Sequence, residues 1–321
     1  MNKKIVVLQS DSLKTDEIYK LSELGDAAYY PTTSQDEVLT FSKGAQLLLT
    51  NKNTIGKKEI DALPDLEYIG EMATGVNNID VEYATKKGIV VTNVGGYSTD
   101  TVAQLTLTMA LSLLEHLSLY DTFVKDGSYS KYEGFSYVDN LFNDMSSLTW
   151  GIIGLGAIGS RVGELAECFK AHVQYTSLTG RRHETKYDYV DLDTLLATSD
   201  IISIHVPLTP ETKYLINEET LKKMKNTAIL INVARGPIVD EKALVKAINE
   251  GWIGGCGLDV FEEEPLPSTS ELYNIKDKHK VILTPHIGWG SIDARNRLAQ
   301  EIIKNVEAYL SGEERNRVNG H

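Results

Sequence analysis

The chain has 321 residues, which suggests two domains at about 150 residues each, with room for sizeable cores. Its 45 acidic against 32 basic residues leave a formal net charge of -13. That balance argues against a nucleic-acid or anionic-membrane surface, because binding phosphate needs a cationic field, so an anionic small molecule must be met by local positive charge. Cys168 and Cys256 lie far apart, fit no metal-ligand spacing and read as buried, reduced thiols of a cytoplasmic protein. In "MNKKIVVLQS" the apolar run is only Ile5 to Leu8, short of the about 7–15 residues of a signal peptide, so it reads as a first strand. No segment approaches the about 20 apolar residues of a membrane span.

In the first hundred residues, "KIVVLQ", "AQLLLTN", "LEYIGEMATG" and "GIVVTNV" read as strands, separated by helical segments such as Lys14–Leu24 and Asn78–Lys87. That alternation predicts a parallel sheet covered on both faces. "NVGGYSTD" breaks it, with Gly95-Gly96 as punctuation and Ser98 to Asp100 as possible helix caps. Thr101 to about Lys125 follows as one long helix, apolar almost all round, which marks either a core helix or a subunit contact.

From Trp150 a second series begins: "WGIIG", "HVQYT", "DIISIHV", "AILINV", "GCGLDV" and "KVILTP", with helical segments between most of them. The pattern predicts a Rossmann-type, doubly wound domain of about six parallel strands. A last helix, Ser291 to Leu310, is long enough to return to the first domain, and "SGEERNRVNGH" reads as a solvated tail.

"GIIGLGAIGSRVGELAECF" places Gly154-x-Gly156-x-x-Gly159 between a β run and a helical one. In that context the glycines allow a tight turn and close backbone approach, with a helix N-terminus aimed at a pyrophosphate. Cofactor contacts are expected from Gly154, Gly156, Ala157, Ile158 and Gly159. The carboxylate that usually ends the next strand is missing, and Ser177 stands near its place. An acid there would bind the ribose hydroxyls and repel a 2′-phosphate. Serine removes that repulsion, and Arg181 and Arg182 just beyond could fork onto a phosphate or merely solvate a loop.

Three residues stand at strand ends of the second domain: Arg235 in "INVARGPIVDE", Glu264 in "GLDVFEEEP" and His286 in "LTPHIGWG". Ligands of open α/β sheets sit outside the carboxyl ends of the strands, so these three would line one crevice. A guanidinium can hold a carboxylate bidentately, an imidazolium can give a proton to a carbonyl, and a carboxylate beside the imidazole favours its charged form. Taken singly, each also has a plain structural reading: a surface arginine, a solvated acidic turn, a satisfied core histidine.

Together, "GIIGLGAIG", "DIISIHVPLTPETKYLIN", "AILINVARGPIVDEKAL", "GLDVFEEEPLP" and "LTPHIGW" resemble, in order, the blocks of the D-isomer-specific 2-hydroxyacid dehydrogenase family, over essentially all of residues 60 to 315. The resemblance implies an α/β fold of two doubly wound parallel-sheet domains with a cleft between them. The flavodoxin-like substrate domain would take 1–98 plus 291–321, and the Rossmann domain 99–290. It implies Arg235, Glu264 and His286 as the catalytic set. The 29 residues from Arg235 to Glu264 match the family's usual spacing, so the resemblance implies Glu264 rather than Glu262 or Glu263. It further implies that the amides of Thr74, Gly75 and Val76, with Arg235, meet the substrate carboxylate. Further NAD(P) contacts would come from Thr101, Val206, Pro207, Val233, Ala234, Arg235, Asp259, His286, Ile287, Gly288 and Trp289.

The finer pattern ("GYSTDTVAQ", "GFSYVD", Trp289 and "NRVNG") is similar to glycerate dehydrogenases, also called hydroxypyruvate reductases. D-lactate and D-3-phosphoglycerate dehydrogenases are the alternatives within the family, although "MATGVNN" offers no cation for a phosphorylated substrate. The expected substrate is thus a small 2-oxo or 2-hydroxy acid, the expected assembly a homodimer, and the expected cofactor NAD(P) with NADP(H) modestly favoured. A dinucleotide-sensing co-repressor is the reading from another class; the retained catalytic trio stands against it.

Overall fold

Most of the short apolar runs bounded by turn residues become strands in the computed structural model, which describes residues 2–180 and 185–320. The chain divides into two units, Met1–Ser98 with Gly290–His321, and Thr99–Trp289. Arg181 and Arg182 lie outside the described residues.

The first unit holds five parallel strands: β1 (Lys4–Leu8), β2 (Asp26–Tyr30), β3 (Leu47–Thr50), β4 (Tyr68–Glu71) and β5 (Val90–Thr92). Their order, β2-β1-β3-β4-β5, is the flavodoxin-like doubly wound one. Strands covered on both faces read as unbroken apolar runs, and Ile5 to Leu8 and Leu47 to Leu49 are fully buried. The helical segment expected near Lys14–Leu24 is a 3-10 helix, Asp16–Glu23, that buries Ile18 and Leu21. Two apolar residues three apart eclipse one another at three residues per turn, which suits the tighter helix.

The terminal helix, Ile292–Ser311, is capped by the Ser291 hydroxyl, which accepts from the Ala294 N–H, and it ends at Gly312 (φ 78°). The segment after it is exposed over most of its length, as expected of a solvated tail, but it is pinned to the sheet. The Val318 N–H donates to Val91 O, and the buried Asn319 side chain accepts from the Val91 N–H at 2.8 Å and donates to Ile89 O at 2.7 Å. β5 is an edge strand whose outward backbone groups need partners, and this segment supplies them.

The second unit has seven parallel strands rather than about six: β6 (Thr149–Ile153), β7 (His172–Thr176), β8 (Asp188–Tyr189), β9 (Ile201–Ile204), β10 (Ile229–Asn232), β11 (Gly255–Leu258) and β12 (Val281–Leu283). Their order is β12-β11-β10-β9-β6-β7-β8; the extra strand, β8, is a two-residue edge paired with β7. The order reverses at β6, which pairs with β7 on one side and β9 on the other, so the ligand crevice belongs at its carboxyl end.

The long apolar helix expected from Thr101 is two helices, Thr99–Leu114 and Leu117–Lys125, bent by 62°. His116 takes a left-handed backbone (φ 53°), which stops the first helix. The first piece buries Val102, Ala103, Thr106, Met109, Ala110 and Leu113 in the core, whereas the second buries none of its residues. Among the described residues no single helix is long and apolar enough to cross a membrane. Both cysteines are free; Cys256 is buried as expected, but Cys168 is exposed. The buried stripe of its helix runs through Gly159, Val162, Gly163 and Ala166, and position 168 falls off that face.

Candidate active site

Every strand of the second sheet runs the same way, so the residues that follow β6, β7, β9, β10, β11 and β12 gather along one edge. That edge receives Gly154 to Gly159, Ser177, Val206 and Pro207, Val233 to Arg235, Asp259, Glu264, and His286 to Trp289. Thr101 lies in the first turn of the helix Thr99–Leu114. Thr74, Gly75 and Val76 follow β4 in the other unit.

The glycine turn after β6 is shaped for close approach. Gly154 sits at φ 95°, and a Cβ there would come 2.6 Å from Val206 Cγ1. A Cβ on Gly159 would meet Gly154 O at 2.2 Å, so this glycine lets the helix Ala157–Cys168 press onto the turn. Gly156, the N-cap of that helix, has open space where its Cβ would point. Free N–H groups at the N-terminus of a 12-residue helix, with room in front of them, fit a dinucleotide pyrophosphate. Beyond β7, the Ser177 hydroxyl lies 3.1 Å from Thr179 Oγ1, and the Gly180 N–H donates to Ser177 O.

At the other end of the edge the loops are tied together. Asn232, fully buried at the end of β10, donates to Arg235 O at 2.9 Å and accepts from the Ala234 N–H at 3.0 Å. These bonds hold the turn that presents Arg235. A Cβ on Gly236 would lie 1.8 Å from Phe261 O, so only glycine lets the loops after β10 and β11 pass. The half-buried Arg235 guanidinium makes one bond, Nη1 to Ala234 O at 2.7 Å, and no carboxylate among the described residues pairs with it. A shielded guanidinium with unused planar donors is poised for a carboxylate.

His286 Nδ1 lies 2.7 Å from Glu264 Oε2, and the other carboxylate oxygen, Oε1, accepts from the Phe261 N–H at 3.0 Å. The neighbouring acid is occupied elsewhere. Glu262 accepts from the Glu241 N–H and from the Tyr214 hydroxyl. His286 has a left-handed backbone (φ 54°), rare for a residue with a side chain and costing on the order of 1–3 kcal/mol. Asp259 stabilises that conformation. Its buried carboxylate accepts from Thr284 Oγ1 (2.6 Å), the Ile287 N–H (2.8 Å) and the Gly288 N–H (2.7 Å), on both sides of the histidine. The chemistry available is proton transfer at Nε2, since Glu264 occupies Nδ1, on the same sheet edge as an arginine with donors to spare for an acid.

In the first unit, the N–H groups of Thr74, Gly75 and Val76 meet no acceptor among the described residues, whereas the loop's carbonyls are engaged. Sequence reasoning missed Asn232, the bracing role of Asp259, and the buried Glu71 and Asn78 at the base of this loop.

A family model for "D-isomer specific 2-hydroxyacid dehydrogenase, NAD binding domain" matches residues 107–288. The chain is 43% identical over 270 residues to a glyoxylate reductase of Thermococcus litoralis, covering 83% of this chain and 80% of that one. It is 37% identical over 317 residues to a glycerate dehydrogenase of Methylorubrum extorquens, covering 98% and 99%. Among solved structures it is similar to a D-lactate dehydrogenase from Aquifex aeolicus complexed with NAD and lactic acid (TM-score 0.85, 31% identity, 99% of both chains). It is also similar to an NADPH-dependent glyoxylate/hydroxypyruvate reductase from Sinorhizobium meliloti (TM-score 0.85, 27% identity, 99% and 97%). The chain therefore belongs to the D-isomer specific 2-hydroxyacid dehydrogenase family and is an NAD(P)-dependent oxidoreductase acting on the CH–OH group of 2-hydroxy acids.

Proposed function

We propose that the enzyme interconverts a small, unphosphorylated 2-oxo acid, hydroxypyruvate or glyoxylate, and its 2-hydroxy acid, with Arg235, Glu264 and His286 as the catalytic set. The observation that carries this reading is an arginine without an acidic partner among the described residues, after β10, on the same sheet edge as a histidine, after β12, held at 2.7 Å by a glutamate. Bound NAD(P)H supplies the hydride in the reducing direction. The glycine turn from Gly154 to Gly159, Thr101, Val206, Pro207 and the residues flanking Arg235 and His286 would hold it. Arg235 grips the substrate carboxylate and polarises the oxo group, while the free amides of Thr74, Gly75 and Val76 add donors for the same carboxylate. His286 delivers the proton from Nε2 to the oxo oxygen. Glu264 fixes the ring through its contact with Nδ1. The test is loss of NAD(P)H absorbance on adding hydroxypyruvate or glyoxylate; a dinucleotide sensor without turnover would show none.

NADPH is the modestly preferred cofactor in this reading. Ser177 places a hydroxyl, not a carboxylate, at the end of β7, and the similar Sinorhizobium meliloti enzyme is NADPH-dependent. Charge-assisted hydrogen bonds from Arg181 and Arg182 to the 2′-phosphate would contribute about 1.5–3 kcal/mol, or roughly ten- to a hundredfold in affinity.

The functional assembly is a homodimer formed through the second unit. Phe135 is 94% exposed and Leu141 83%, and Leu117, Val124 and Val138 are exposed beside them, more apolar surface than a monomer leaves uncovered. A cavity of about 270 Å³ lined by Leu113, Leu114, Leu141, Phe142 and Leu148 adjoins that segment. Sedimentation of the Phe135→Asp/Leu141→Asp variant should report a monomer. The two free thiols suit a cytoplasmic setting, and the charge of -13 suits an enzyme without nucleic-acid or membrane partners.

A further inference from the structure

We propose that Glu71 is a positioning residue for the Thr74–Val76 loop, closing its base through Asn78 so that the three free amides keep one curve. The inference rests on the reading that those amides bind the substrate carboxylate.

The loop leaves β4 at Glu71 and returns at Ile79. Its backbone is pinned from both neighbouring strands: the Met72 N–H donates to Thr50 O and the Ile55 N–H to Asn78 O on the β3 side, and the Val94 N–H donates to Ala73 O and Asn93 Nδ2 to Thr74 O on the β5 side. What joins entry to exit is the Asn78 carboxamide. Its Nδ2 lies 2.9 Å from Glu71 Oε2, 3.1 Å from Asn53 O and 3.4 Å from Asn51 O. One side chain thus gathers the end of β3, the end of β4 and the loop's own last turn.

Glu71 is 1% exposed, at a strand end where an apolar side chain would cost nothing to bury. Its second oxygen, Oε1, is buried with no hydrogen-bond partner. Such a residue is expensive for folding, which argues for a role in the loop it closes. Burial pushes its carboxyl up to about 8, against the bond from Asn78 and the field of Lys52, the charged group acting on it. At neutral pH it is therefore a neutral acid, with its proton on Oε1 because Oε2 accepts from Asn78. Ionisation above that range would put a negative charge beneath amides that must receive a carboxylate.

The sign for folding follows from the same shift. The folded state holds the proton more tightly than the unfolded one, so the stability it lends is complete below pH 4.5 and is lost as pH rises to about 8. Glu71→Gln keeps an acceptor for Asn78 and cannot ionise. It should match the wild-type KM at pH 7, lack the rise in KM for hydroxypyruvate expected of wild type between pH 7 and 9, and lack the decline of Tm expected of wild type between about pH 5 and 8. Glu71→Leu and Asn78→Ala should each raise that KM about tenfold, with kcat within about twofold and the Kd for the dinucleotide unchanged. Combining them should add little to Asn78→Ala alone, which already cuts the bond to Glu71 together with those to Asn53 O and Asn51 O. The proposal is overturned if both single variants bind the oxo acid as wild type does, or if Glu71→Gln keeps the alkaline rise in KM. Val76→Pro, which removes one of the three amides, separates the two readings. An unchanged KM there means that the loop does not take the carboxylate at all, whereas a raised KM with normal Glu71→Leu and Asn78→Ala variants means that Glu71 alone is misassigned.

Discussion

The two ends of the second sheet's carboxyl edge are built differently. After β10, β11 and β12 the loops are cross-tied by Asn232, Asp259, Glu264 and the close pass at Gly236, and His286 is held in a costly backbone conformation. After β7 the chain turns at Gly180, whose N–H donates to Ser177 O; among the described residues the Ser177 hydroxyl meets Thr179 Oγ1 alone, and Leu178 is exposed. Proton transfer to a carbonyl depends on tenths of an ångström, so its side chains are fixed by many bonds. Choosing between two dinucleotides needs only the presence or absence of charge near a ribose, which a loosely held turn can supply.

If that contrast is right, changes at the tied end should cost turnover and changes at the loose end should shift only cofactor choice. The largest effect is expected for His286→Ala: a fall in kcat of about 10²–10⁴, the usual contribution of a general acid, with dinucleotide binding nearly intact. Near-normal turnover would break the assignment. Arg235→Lys should follow, raising KM and lowering kcat together, because a point charge cannot grip a planar carboxylate with two parallel bonds. If that variant lost stability alone, with normal kinetics at low temperature, Arg235 would be a structural residue.

Glu264→Gln should act on the maximal rate through the placement of the ring. Replacing the carboxylate that holds Nδ1 lets the imidazole turn away, so kcat for the oxo acid should fall by about tenfold or more while the Kd for the dinucleotide stays unchanged. An unchanged kcat would shift attention to Glu262 or Glu263. The smallest change belongs to the loose end. Ser177→Asp should turn the ratio of kcat/KM for NADPH over NADH towards NADH by about tenfold while leaving kcat alone. A wild type that prefers NADH tenfold, unaltered by Arg181→Ala/Arg182→Ala, would mean those arginines do not read the cofactor.

The strand-end places of the residues proposed to act through their own chemistry were legible in the sequence. Gly154 to Gly159, Arg235, Glu264 and His286 belong to short motifs whose spacing fixes their place at strand ends. Residues that act through tertiary hydrogen bonds were not. Asn232 braces a loop three residues on, Asp259 reaches across from β11 to β12, and Glu71 meets Asn78 only because a loop folds back on itself. Each is an ordinary polar residue until its partner arrives. The break at His116 was hidden for a similar reason, since a left-handed residue other than glycine or asparagine leaves no mark in composition. The final segment looked solvated because its polar character said nothing of the edge strand it covers.

The central claim, that His286 delivers the proton, is tested most directly by the turnover of His286→Ala with hydroxypyruvate as free imidazole is added at constant ionic strength. Turnover that starts low and climbs with imidazole, in proportion to its protonated fraction, is the expected result. A rate that stays flat across the titration, while the oxo acid and the dinucleotide still bind, would contradict it and leave His286 a structural residue of its loop.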